Sequence, residues 1–124
     1  MTLSELYEQI GGDYTRATNV LRVEKLIDKH IRKFKDNELI PKLSEAFAAN
    51  DAVQVFEITH ALKGVCANLG LLSIADLASE ITEDYRVEGQ RKFTDEEIKE
   101  KIDKIEEIYQ KTKEGIRQYE ESLL

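Results

Sequence analysis

Tryptophan is absent from this chain, and cysteine, proline and methionine each occur once in 124 residues. A lone cysteine cannot close an internal disulfide, so no cross-linked scaffold is expected, and a reducing cytoplasm is the natural setting. No run of about 18 apolar residues occurs, and no charged-then-apolar leader opens the chain, so neither a membrane span nor a signal peptide is expected. Basic residues are outnumbered: 18 Lys and Arg face 25 Asp and Glu, for a net charge of −7. With no basic stripe, nucleic acid is set aside as a partner. A glycine-rich nucleotide loop is also missing, which excludes a kinase activity of its own. What is present, 35% charged and 41% hydrophobic residues, suits one soluble all-helical domain over residues 1–124.

The periodicity of apolar residues divides that domain. Thr2 to Ile10 reads as a short helix ended by Gly11-Gly12, and Asp13 can cap a second one through Asn19. Residues 1–22 are thus expected to close one end of a bundle formed by 23–124. Val23 to Asp36 places Val23, Leu26, Ile27, Ile31 and Phe34 on one face, with His30 among them. A lone histidine on an apolar face reads as a packed residue. Asp36-Asn37 is a capping signal for a helix over 38–49, where Pro41 falls in the tolerant first turn. Asp51 can cap a helix over 52–69, and Gly70 fits its C′ position. The next helix is expected to start near Ser73, with Ile74, Leu77, Ala78, Ile81 and Tyr85 as its stripe. Glu80, Glu83 and Asp84 read as its solvated face. Thr94-Asp95-Glu96-Glu97 is a capping box opening a final helix of about 42 Å. Its isoleucines suggest packing within the bundle, since the heptad pattern of a coiled coil is not sustained through Thr112 and the tyrosines. The fold expected is an up-down-up-down antiparallel four-helix bundle with short N-terminal helices.

The stretch from Ile58 to Gly70 carries the chemistry. At about 100° per residue, Val55, Ile58, Leu62, Val65, Cys66 and Leu69 gather on a core side. His60 falls almost opposite, among Val53, Phe56, Lys63, Gly64 and Ala67. An imidazole titrates near neutrality and can be a nucleophile. Lys63, one turn on, can reach an anion held by that ring. Gly64 costs a helix interior roughly 1 kcal/mol relative to Ala. It reads either as clearance for a molecule approaching the ring or as room for close packing of a neighbouring helix.

His60-Ala61-Leu62-Lys63-Gly64, followed by Leu69-Gly70, resembles the His-x-Leu-Lys-Gly signature of histidine-containing phosphotransfer (HPt) domains. Leu3-Ser4-Glu5-Leu6-Tyr7 and Gly11-Gly12-Asp13-Tyr14 resemble the start of free-standing members. The resemblance implies that His60 accepts and donates a phosphoryl group, that Lys63 balances its charge and that Gly64 clears space. Family members often place Gln, Glu or Arg on the next helix to steady the ring or the phosphate. The matching region here offers Thr82, Glu83 and Arg86, and Thr82 departs from the usual residue types.

The expected function is therefore a phosphorelay intermediate of a two-component system, a phosphohistidine carrier that is not an enzyme. Response-regulator receiver domains and a hybrid histidine kinase would be its partners. Val53, Phe56, Gly64 and Ala67 would form an apolar docking patch, with Thr82 and Arg86 approaching from the next helix. No cofactor is expected, any magnesium belonging to the receiver. The chain is expected to be monomeric. A competing reading is a non-phosphorylated interaction module, but such a chain has no need to keep both His60 and Lys63. A metal-binding bundle is short of ligands, as His30 and His60 lie on opposed faces and no Glu-x-x-His pair occurs.

Overall fold

The computed structural model describes residues 1–124, and seven helices account for most of them. They are α1 (Leu3–Ile10), α2 (Tyr14–Leu21), α3 (Glu24–Phe34), α4 (Leu39–Ala48), α5 (Ala52–Asn68), α6 (Leu72–Tyr85) and α7 (Asp95–Ser122). There is no strand, as expected. Residues 23–124 hold five helices, matching the five helical stretches read from the periodicity. Helix α4 packs on α5, α5 on α6, α6 on α7, and α7 back on α4. Around that ring, α3 lies against α2 and α7, α1 lies along α7, and α2 touches α5. A single cluster of 26 buried apolar residues lies between them.

Most helix starts are set by short polar side chains that satisfy otherwise unpaired N–H groups. Thr2 with Glu5 and Thr94 with Glu97 form reciprocal capping boxes. The Asp13 and Asp51 carboxylates accept from the Arg16 and Gln54 amides at 2.9 and 3.2 Å. Asn37 Oδ1 accepts from the Leu39 and Ile40 amides. Helix α6 starts at Leu72, next to the expected Ser73, without a side-chain cap. Helix α2 runs on to Leu21, two residues past the expected end.

The N-terminal segment pins the α5–α6 turn. The Tyr7 hydroxyl donates to the Leu69 carbonyl at 2.7 Å, and the Asp13 amide donates to the Gly70 carbonyl at 2.8 Å. Gly70 sits at φ +73°, and a Cβ there would come within 2.1 Å of the Asp13 carbonyl oxygen. Both the conformation and the contact demand glycine.

Several residues lie off the faces expected of them. Val65 is 38% exposed, and Thr59 takes its place in the buried stripe of α5 with Val55, Ile58, Leu62 and Cys66. Val23 and Leu26 are exposed, because α3 begins only at Glu24 and turns Ile27, Ile31 and Phe34 inward. On α6 the stripe is rotated: Ala75 and Thr82 are buried, while Leu77 and Tyr85 are only half covered. Ala75 and Ala78 are both buried, and α6 packs extensively on α5.

Asp84 is not on a solvated face. It is 7% exposed and organises the 87–93 connection, accepting from the Lys92 and Phe93 amides at 2.7 and 3.1 Å and from Arg91 Nε at 3.1 Å. Burial works to raise its carboxyl pKa, but the two amides and the Arg91 guanidinium outweigh it and hold the group below the usual carboxylate range. Its contribution to stability is therefore complete above the ordinary carboxylate pKa and is lost as pH falls through the lowered one.

Two outcomes are expected. Gly70→Ala should destabilise the fold by roughly 2–5 kcal/mol in urea denaturation, and an unchanged midpoint would contradict the pinned turn. Asp84→Asn should cost about 1–3 kcal/mol at neutral pH. That difference from wild type should narrow as the pH drops below about 4; a gap that widens in acid would contradict the assignment.

Candidate functional site

Because Val55, Ile58, Thr59, Leu62 and Cys66 face inward, helical geometry turns the opposite side of α5 to solvent. His60 is exposed there, near mid-helix. Gly64 lies one turn on, and a Cβ built on it would meet nothing within 4 Å. No neighbouring helix uses that space, which favours clearance over the close-packing reading of this glycine.

The ring of His60 lies parallel to that of Phe56, with centroids 5.9 Å apart and planes at 11°. This offset stack is the i,i+4 contact available on a helix surface. The Arg86 guanidinium lies over Phe56, 5.6 Å from its centroid. The same guanidinium is held in two prongs by Glu83, Nη2 to Oε1 at 2.8 Å and Nε to Oε2 at 3.1 Å. These four side chains form a continuous row across the α5–α6 seam.

Lys63 is half-buried and forms no ion pair. The Glu83 carboxyl is held below the usual carboxylate range, first by hydrogen bonds from Arg86, with the charges of Arg86 and Lys63 adding to the effect. Glu83 thus shares one electrostatic neighbourhood with Arg86 and Lys63. Glu83 is exposed, as read from the sequence, and its carboxylate is engaged by Arg86.

Thr82 does not reach the imidazole. It is fully buried, its hydroxyl 2.9 Å from Thr59 Oγ1 and 2.8 Å from the Ala78 carbonyl. The Thr59 hydroxyl in turn donates to the Val55 carbonyl at 2.9 Å. The expectation that Thr82 faces outward is corrected, because the rotated stripe of α6 carries it under His60 rather than beside it. Val53 is 65% exposed, while Phe56 and Ala67 are partly covered.

Other candidate nucleophiles lie elsewhere. Cys66 is fully buried, and burial pushes its thiol up to about 12, so it is inert near neutrality. His30 is half-buried in a groove between α3, α4 and the end of α5, lined also by Phe34, Leu39 and Val65.

Fold and site together define a class: an all-helical chain that presents one histidine at mid-helix, beside a cation and an open glycine. A family model described as the Hpt domain matches residues 36–114. The match spans well over half of the chain and takes in α4, α5, α6 and most of α7; the chain belongs to the Hpt domain family. A search of curated proteins and one of solved structures find no match. Membership gives the chain a phosphotransfer role in two-component signalling. Hpt domains are phosphocarriers, not kinases, and they interact with receiver domains and histidine kinases. No helix is long and apolar enough to cross a membrane.

Since a methyl group at position 64 meets only solvent, Gly64→Ala should raise stability, by up to about 1 kcal/mol. Chemical denaturation measures this directly, and a clear loss of stability would show that the glycine serves packing.

Proposed function

We propose that this chain is a phosphorelay intermediate that carries a phosphoryl group on His60 between receiver domains. The observation that carries the reading is the uncovered imidazole, with unpaired Lys63 on one side and the empty space at Gly64 on the other. Neutral His60 would attack the aspartyl phosphate of a receiver through Nε2, the tip nitrogen. The N–P bond forms as the aspartyl O–P bond breaks, and the carboxylate departs. The same step in reverse passes the group to a second receiver. Phosphoryl transfer of this kind asks for in-line approach and neutralised charge, with little other protein chemistry.

Lys63 supplies part of that neutralisation. Gly64 admits the receiver's acidic pocket, which would bring its own magnesium. Val53, Phe56 and Ala67 form the apolar patch on which the receiver docks, a local feature needed because an acidic receiver is not attracted by a chain of net charge −7. Arg86 contributes a second positive charge at the patch edge. Thr82 acts from below, holding α5 and α6 in phase. A hybrid histidine kinase feeding the first receiver, a cytoplasmic setting and a monomeric chain complete the reading. The ring of contacts through α4–α7, with short turns from α4 to α5 and from α5 to α6, supports an up-down-up-down arrangement for the part that matches the family.

Incubation with a phosphorylated receiver domain should transfer an acid-labile, alkali-stable label to the wild-type chain. His60→Gln should abolish it with the helical circular dichroism spectrum unchanged. Persistence of the label on His60→Gln would exclude His60 as the acceptor.

A further inference from the structure

We infer that Glu83 is a positioning residue that sets how firmly His60 keeps its phosphoryl group. It holds Arg86 in a two-pronged pair over Phe56, and the phosphorylated ring must draw Arg86 out of that pair. The inference rests on the proposed role of His60 and adds a control on it.

The geometry supplies the exchange. Arg86 reaches Glu83 at 2.8 and 3.1 Å and lies 5.6 Å from the Phe56 centroid, and Phe56 lies 5.9 Å from His60. Arg86 is therefore one ring away from the imidazole. Both ends of the pair are exposed, at 48% and 56% of their side chains. Exposed pairs are weak and readily broken, as an exchangeable contact requires. A phosphoryl group brings close to two negative charges and three strong acceptor oxygens. Planar guanidinium binds such a group in the same two-pronged manner in which it binds a carboxylate.

Electrostatics gives the exchange a direction. Around a neutral His60 stand two cations, Lys63 and Arg86, and one anion, Glu83. Lys63 is already free, whereas Arg86 is occupied. A phosphoryl group on His60 meets both a repelling carboxylate and a competitor for the guanidinium. Both effects weaken retention and favour handing the group on. The bond to phosphorus is made and broken at His60, and Glu83 acts only through Arg86 and the local field. Neither Thr82, whose hydroxyl is satisfied beneath the surface, nor Asp84, which is committed to Arg91 and the following loop, can take this part.

The test uses the full chain loaded with potassium phosphoramidate. Its N–P bond breaks with release of ammonia as the bond to His60 forms. Loss of the phosphoryl group to water is then followed by 31P NMR and intact mass. Glu83→Gln frees Arg86 and should lengthen the phosphohistidine half-life about two- to fivefold, with a displaced 31P resonance. Arg86→Ala should shorten the half-life. In the double variant, the glutamine should have no effect beyond that of Arg86→Ala alone, a non-additivity that loss of surface packing would not produce. An unchanged or shorter half-life in Glu83→Gln would overturn the inference. Equal lengthening with and without Arg86 would overturn it too. If the wild-type chain takes no label at all, the role of His60 fails, and the control on it fails with it. If it loads normally but ignores position 83, only this inference falls.

Discussion

The hydroxyl pair between Thr59 and Thr82 sets the phase of two helices at once. These are polar side chains with no exposure, 2.9 Å apart, each also in contact with a carbonyl of its own helix. Burying a hydroxyl without a partner costs free energy, so the pair tolerates little rotation of α5 against α6. With Thr59 turned inward, the next residue, His60, is turned out. With Thr82 turned inward, Glu83 and Arg86 rise to the seam beside it. The exposed row of His60, Phe56, Arg86 and Glu83 is the outer consequence of that buried contact.

The pinned turn holds the other end of the same helix pair. Tyr7 and Asp13 bind the backbone at Leu69 and Gly70, so the segment before α3 serves as a brace for α5 and α6. Asp84 and Arg91 secure the exit of α6. The His60 ring itself is left without such support: it stacks on Phe56, and no side-chain hydrogen bond fixes it. A rigid frame under a lightly held, solvent-facing imidazole suits the proposed handing of a phosphoryl group from one partner to another.

Much of this could be read from residue order. Periodicity located every helix, and the short caps at Asp13, Asn37, Asp51 and Thr94 marked where helices begin. The outward position of His60 followed from the strongly apolar side opposite it. The errors share a cause. A stripe built from large apolar residues is placed too far toward Val65 and Tyr85, when the buried positions include Thr59, Ala75, Ala78 and Thr82 and the two threonines bond across the α5–α6 seam. Small and hydroxyl-bearing residues carry no strong hydropathy signal, yet they are what two closely approaching helices need. Asp84 was equally hidden, because its partners come from a loop whose path no periodicity describes. The same rotation of α6 that carries Thr82 inward leaves Glu83 and Arg86 exposed.

The central claim is that the tip nitrogen of one uncovered histidine bears the phosphoryl group. Coupling between 15N and 31P in uniformly 15N-labelled, phosphorylated protein tests it at the level of the bond. The account predicts one coupled nitrogen, Nε2 of His60, with the His30 ring unaffected. Coupling to His30, or a phosphorylated chain with no nitrogen coupled to phosphorus, would contradict it.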